Sequence, residues 1–389
     1  MLIVLLVPAC ANGSGNAADG ASSDSITIPA APVTSVSAPA ANRTAELARA
    51  PVRTPTATPQ VMPPDVLGPF HFPPGYNPLT GLPAEDPTAM DRRPLAVKIS
   101  NAPEVVRPQA GIGEADLVFE HLTEGNLTRF TAIFWTHTPP RVGSIRSARL
   151  LDLEIPAMYG TLFAYSGAAE PIRQRIADLP FAPRAYEGVT TGQPLYFRDP
   201  DIEVPHNLFV IPGELWARAE ADGVNAPPED LGGMAFRAAP PPDGTSAAAI
   251  AIDYGPDTVR WTYDGETGVY ARFVNDEPHT DANTEQQVTA ANVVVVFAHH
   301  QEDYTIVESE WQGTPYYSLE IQIWTLGPVM ILRDGQMIEG HWMRWEEDTM
   351  LSFWTDETAT EQLYLKPGNT WVQVVPLGFA GLEISEETQ

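Results

Sequence analysis

Apolar residues in this chain come in short runs that stop on charged or amide side chains, and the pattern is densest between Arg92 and Arg149. Residues 95–100 read as a buried-type strand ending at Asn101 and a proline-containing loop. Residues 115–121 and 128–136 follow as two strands around Glu124-Gly125-Asn126, which predicts a hairpin. After Pro139-Pro140 the spacing predicts a helix over 147–159, broken at Pro156, then a strand over 161–165 and a helix over 170–179 with Pro171 in its first turn. A short strand at 209–211 and a helix at 213–221 lead to a Pro- and Gly-rich stretch, 223–244.

Beyond that stretch the period changes. Residues 250–254, 258–263, 269–274, 292–299, 316–324, 329–333, 337–345 and 370–375 all read as strands, and Asp264-Gly265 and Asp334-Gly335 supply tight-turn dipeptides. The second half is therefore expected to be mainly antiparallel β. The organisation that follows is a signal remnant at 1–10, a tether at 11–76, an α+β first half at 77–225, a linker at 226–245 and a β-rich second half at 246–389.

The tether reading rests on composition. From Ala11 to about Met62 the chain is largely Ala, Ser, Thr, Pro, Gly and Asn without apolar periodicity, too little to bury a core. Just before it, Leu2 to Ala9 form an apolar run that ends directly at Cys10, the one cysteine in 389 residues. That arrangement matches the end of a bacterial lipoprotein signal, with Cys10 the lipidated residue and the body held at the outer face of the cytoplasmic membrane. A single cysteine excludes an intramolecular disulfide and a cysteine-based metal cluster.

Charge narrows the classes further. With 22 basic and 50 acidic residues the formal charge is −28, which argues against a nucleic-acid-binding surface. The imbalance is uneven: Arg92 to Arg149 holds eight Arg/Lys and five Asp/Glu, whereas Ala251 to Gln389 holds five and twenty-four. The local positive excess lies in the segment where the apolar runs end in charges.

Several short motifs occur together: Asn77-Pro78-Leu79-Thr80-Gly81, Arg107-Pro108-Gln109, Thr128-Arg129-Phe130, Ile145-Arg146-Ser147-Ala148-Arg149, Pro205-His206-Asn207, His279-Thr280-Asp281 and Pro367-Gly368-Asn369-Thr370-Trp371. Jointly they resemble the YerB-like lipoprotein family, a bacterial family catalogued as a domain of unknown function. The resemblance spans about 300 residues and implies an envelope-anchored protein with an α+β body of layered β-sheets and helices on one side. It implies no reaction. The chain departs from the family's pattern between residues 299 and 327, where it carries Trp311, Tyr316, Tyr317 and Trp324.

The candidate chemistry is polar recognition. Arg146 and Arg149, three residues apart at an expected helix start, suit a carboxylate or phosphate group, or else neutralise Glu120 and Glu124. With Asn101, Arg129, Ser147, His206 and Asn207 they form the candidate ligand-binding set. An alternative reading makes Glu120 or Glu124 with His206 the catalytic pair of an envelope hydrolase or transferase. A third makes the arginines structural and the acidic second half a partner surface. Asp281 to Glu285 alternate oxygen-bearing side chains, yet Gln286 stands where an EF-hand loop needs Gly. His299 and His300 are adjacent, so on a strand they point to opposite faces. No phosphate loop, zinc-protease motif or nucleophile elbow occurs, and no metal or cofactor is implied. The expected partners are the membrane, through Cys10, and an envelope glycan, anionic small molecule or envelope protein. The reading leans away from catalysis.

Overall fold

The computed structural model describes residues 63, 65–229 and 231–386; Cys10 and the tether up to residue 62 lie outside the described residues. The principal elements are β1 (Leu95–Ser100), β2 (Leu117–Leu122), β3 (Thr128–Phe134), β4 (Leu162–Tyr165), α1 (Glu170–Asp178), β5 (Ala185–Glu187) and α2 (Pro212–Ala221). They are followed by β6 (Ala249–Asp253), β7 (Thr258–Asp264), β8 (Val269–Val274), β9 (Asn292–Trp311), β10 (Thr314–Gln322), β11 (Thr325–Arg333), β12 (Gln336–Arg344), β13 (Thr370–Pro376) and β14 (Leu382–Ser385).

One 12-stranded sheet runs through both halves of the sequence. Its central order is β12-β11-β9-β13-β2-β3-β1-β4-β5, and β13 lies parallel between β9 and β2. A strand from near the C-terminus therefore fills the middle of the sheet, and the two halves share a hydrogen-bonded ladder. A second, six-stranded antiparallel sheet built around β8-β7-β6-β14 packs on one face. This is a mixed α+β body of layered sheets with an antiparallel second half, as the sequence and the resemblance imply.

Residue pattern explains the layers. In β9 the run Val293-Val294-Val295-Val296 is buried on both sides: Val293 and Val295 join the core facing the second sheet, Val294 and Val296 the core of the opposite face. A strand covered on both faces needs such an unbroken apolar run. The first core also takes Val97, Ile99, Phe130, Trp261, Trp371 and the α2 residues Leu215 and Trp216. The other holds Ala96, Phe119, Ile133, Phe163 and the α1 residues Ile172 and Ile176.

Three features depart from the expected elements. Residues 147–159 form a 3₁₀ turn at Leu150–Leu153 and a single α turn at Ile155–Met158 in place of one helix. Ordered chain begins before residue 77, because Val66–Leu67 pairs with Phe236–Arg237. That pairing also ties the Pro- and Gly-rich stretch to the body, where Phe236 is fully buried. Finally, β9 does not stop near residue 299. Past Ala298 it leaves the sheet and pairs with β10 alone, forming a two-stranded arm that ends at Gln312-Gly313.

Candidate functional site

Alternation along β1, β2 and β3 divides their polar side chains between the two faces of the large sheet. Glu120 shares a face with Val118 and Phe130, whereas Lys98, His121, Arg129 and Thr131 share the other with Ala96, Phe119 and Ile133. Two separate ion networks result.

The first network joins the two halves of the chain. Glu120 and Arg272 are both fully buried and meet at 2.8 Å. Glu120 also accepts from Thr128 Oγ1 at 3.0 Å and Asn101 Nδ2 at 3.2 Å. Arg272 donates to His279 Nδ1 at 2.6 Å, and its guanidinium lies over the Trp371 ring at 4.9 Å. With Nδ1 accepting, His279 carries its proton on Nε2, which donates to Gln109 Oε1 at 2.6 Å. Burial and the Arg272 charge hold His279 well below the usual histidine range, so it is neutral. Arg107 closes the rim of this network by pairing with Asp257. The Glu120 carboxylate and both terminal nitrogens of Arg272 are thus met from within the protein, whereas the buried Arg272 Nε has no hydrogen-bond partner among the described residues.

The second network lies on the opposite face. Lys98 Nζ, fully buried, reaches Asp152 Oδ2 at 2.9 Å, Thr131 Oγ1 at 3.1 Å and His121 Nε2 at 2.6 Å. His121 Nδ1 donates to the Leu122 carbonyl at 3.0 Å, which leaves Nε2 free to accept from the ammonium. Burial, reinforced by the Lys98 charge, pushes His121 down to about 3, and burial pulls Lys98 down to about 8 against the attraction of Asp152. Asp152 also accepts from Thr131 Oγ1 at 2.7 Å and from the Arg149 backbone N–H at 2.7 Å. The amide at this helix start is therefore occupied by the protein's own carboxylate.

Arg129, Arg146 and Arg149 border this network. Arg149 forks onto Glu124, with Nε to Oε2 at 2.7 Å and a second contact to Oε1, and its Nη1 reaches Glu308 at 3.3 Å. Arg129 lies 3.4 Å from the same Glu124 oxygen. Burial alone would raise Glu124, but the hydrogen bonds and charge of Arg149, with Arg129 beyond, hold it at about 2. Glu308 comes from the arm and is fixed by Ser318 Oγ at 2.9 Å. Arg146 differs. Its backbone is held by Lys98 O and Ser166 N, but among the described residues its half-buried guanidinium has no ion pair or hydrogen bond. His206 stands beside it, since Ile145 N donates to Leu208 O and brings the two segments together. Burial and the Arg146 charge lower His206, and its buried Nδ1 has no hydrogen-bond partner among the described residues.

Of the residues expected to bind a ligand, Arg129, Arg146, Ser147 and Arg149 converge, and His206 lies beside Arg146. Ser147 contributes its carbonyl to Arg129 and Arg149. Asn101 belongs to the Glu120 network on the far face. Asn207 serves its own loop, accepting from Arg198 and donating to Asp199 O. Glu120 and Glu124 sit in different networks, each paired with arginine. Asp281 caps the backbone amides of Gly113, Asn283 and Thr284, and His299 and His300 oppose Gln322 and Ile321 on opposite faces of the arm. Among the described residues no cluster of three His, Cys, Asp or Glu suits a metal ion. Sequence reading missed Lys98, His121, Asp152 and Glu308. The signal was present for Lys98, a lone cation inside the apolar run Leu-Ala-Val-Lys-Ile-Ser.

These features define a layered α+β protein whose two halves are locked by a buried ion pair and whose first half carries an arginine cluster. Two family models match it: Protein of unknown function (DUF3048) N-terminal domain over residues 79–225, and the C-terminal domain of the same name over residues 250–372. Together they span well over half of the chain, and the protein belongs to this family. A relative described as "Putative lipoprotein YerB" from Bacillus subtilis (strain 168) is 27% identical over 303 residues, covering 77% of this chain and 86% of the relative. The crystal structure of the YerB protein from Bacillus subtilis aligns with a TM-score of 0.67 at 27% identity, covering 80% of this chain and 99% of that one. No helix among the described residues is long and apolar enough to cross a membrane.

Proposed function

We propose that this protein is a non-catalytic lipoprotein, anchored through Cys10 to the outer face of the bacterial cytoplasmic membrane, whose body binds an anionic envelope component at Arg146. The observation that carries the reading is the asymmetry of the cluster: Arg129 and Arg149 have carboxylate partners, whereas Arg146 has none among the described residues. A half-buried guanidinium repelled by Arg149 has only the attraction of Glu124, which Arg149 and Arg129 already share, and a ligand anion supplies a counter-charge of its own. Binding is favoured over hydrolysis because Glu120 and Glu124 already serve arginines and do not face each other across a groove.

The test uses Val61–Gln389, which forms one compact unit. Arg146→Gln should fold with an unchanged melting temperature and lose binding to anionic envelope fractions, while Arg149→Gln should destabilise the body. Equal binding by wild type and Arg146→Gln removes the proposed site. The anchor is checked separately in the full chain, where Cys10→Ser should move the protein from the membrane to the soluble fraction.

A further inference from the structure

Alternation along β11 and β12 sets Pro328 and Met330 on one face of the large sheet beside their cross-strand partners His341 and Glu339. Phe297 of β9 and Met330 are only partly buried, both packed against the first core. With Pro328 they make the apolar side of a cavity of about 350 Å³. Glu339, His341 and Thr355 make its polar side, Thr355 following directly on the strand Ser352–Trp354 that pairs with β12. The volume suits a small ligand or a single protruding side chain.

The polar side carries charge of one sign. No described Lys or Arg lines the cavity. Glu339 is exposed and, among the described residues, has neither an ion pair nor a hydrogen bond. Glu357 adds a second carboxylate 3.6 Å from His341 Nε2, beyond hydrogen-bond reach, so the imidazole does not consume it. An entering anion is repelled by both carboxylates, and a neutral hydroxyl answers neither charge. An ammonium on a methylene stem meets both sides of the cavity at once: its carbons cover Phe297, Pro328 and Met330, and its N–H groups donate to Glu339.

We propose that this cavity binds a primary alkylammonium group, with Glu339 as the counter-charge. The lysine side chain of a peptide and a free aliphatic amine share that chemistry. The cavity lies in the β-rich second half, contains none of the residues around Arg146 and stands as a site whether or not an anion binds there.

Calorimetric titration of Val61–Gln389 with hexylamine, hexanol and hexanoate, at about pH 7 and low ionic strength, tests the proposal with one stem and three head groups. Wild type should bind one hexylamine about tenfold or more tightly than hexanol and should not bind hexanoate. Glu339→Gln should weaken hexylamine about tenfold and leave hexanol unchanged, while Glu277→Gln, at an exposed carboxylate outside the cavity, should change neither. Nα-acetyl-lysine methylamide separates the two sources: binding at least as tight as hexylamine assigns the site to a lysine side chain, and weaker but Glu339-dependent binding assigns it to a free amine. If wild type binds hexanol or hexanoate as tightly as hexylamine, the charge assignment is wrong, and this comparison needs no variant to fold. If Glu339→Gln and Glu277→Gln weaken hexylamine equally, the amine responds only to the acidic surface as a whole and the site is overturned. Absence of binding by both hexylamine and the lysine derivative overturns it as well.

Discussion

At the scale of single residues, the informative feature is a histidine held neutral beside a lysine. His121 sits at about 3 in the fold against an ordinary value near 6.5, so between those limits the unfolded chain binds a proton that the folded chain refuses. Stability from this group is therefore complete above about pH 6.5 and is lost as pH falls toward 3. Glu124, held at about 2, adds the same sign over a lower window: its contribution is present above about 4.5 and disappears on further acidification. Urea unfolding of Val61–Gln389 should show stability declining from near neutrality into acid. His121→Gln, which preserves an acceptor for Lys98, should flatten the upper part of that decline; an unaltered pH profile in this variant contradicts the assignment. Lys98 offers a second check. Lys98→Met strands the buried Asp152 carboxylate and should cost about 3–5 kcal/mol, whereas Lys98→Met with Asp152→Leu should recover much of the loss. A double variant no more stable than Lys98→Met alone speaks against an unpaired charge as the cause.

At the scale of elements, turn chemistry and strand pattern were readable to different degrees. Asp334-Gly335 forms the expected two-residue turn, with φ of 53° and 70° at its centre. A Cβ on Gly335 would also lie 2.8 Å from the Tyr263 ring, so Gly335→Ala should lower stability by roughly 1–2 kcal/mol, measured as a drop in melting temperature. Asp264-Gly265 behaves otherwise: Asp264 pairs with Val269, and the left-handed residue of this longer loop is Gly268. The arm was invisible for a definite reason. Residues 299–303 are all polar and the pairing with β10 carries two register shifts, so the regular strand pattern of 292–298 does not continue into the arm. Hydrogen exchange should separate the two parts of β9, with amides of Val293–Val296 protected to the level of global unfolding and those from Tyr304 to Trp311 exchanging much sooner. Uniform protection along β9 would mean the arm is as firmly held as the core.

At the scale of the whole molecule, the two halves cannot be treated as independent. β13 supplies the parallel neighbour of β2, and Arg272 supplies the counter-charge of Glu120. A fragment ending at residue 245 would expose the β2 edge and bury Glu120 unpaired, so it should fail to give a cooperative melt, while the intact body should unfold in one transition. Two resolved transitions for the intact body, or a well-folded fragment, would show the halves to be separable.

Much of this was available in the amino-acid order itself. Strand positions such as 95–100 and 269–274, the family motifs and the local excess of arginine all depend on neighbours a few residues apart, and such patterns survive in one dimension. Which arginine pairs with which glutamate does not. Arg149 and Glu124 are 25 residues apart, Glu120 and Arg272 are 152, and Glu308 arrives from an arm in the other half. Partner choice between charges is set by sheet order and by which face a side chain occupies, and both exist only once distant strands have been brought side by side. That is why the sequence could mark Arg146 and Arg149 as a pair, and only the tertiary structure could leave one of them paired and the other without a partner among the described residues.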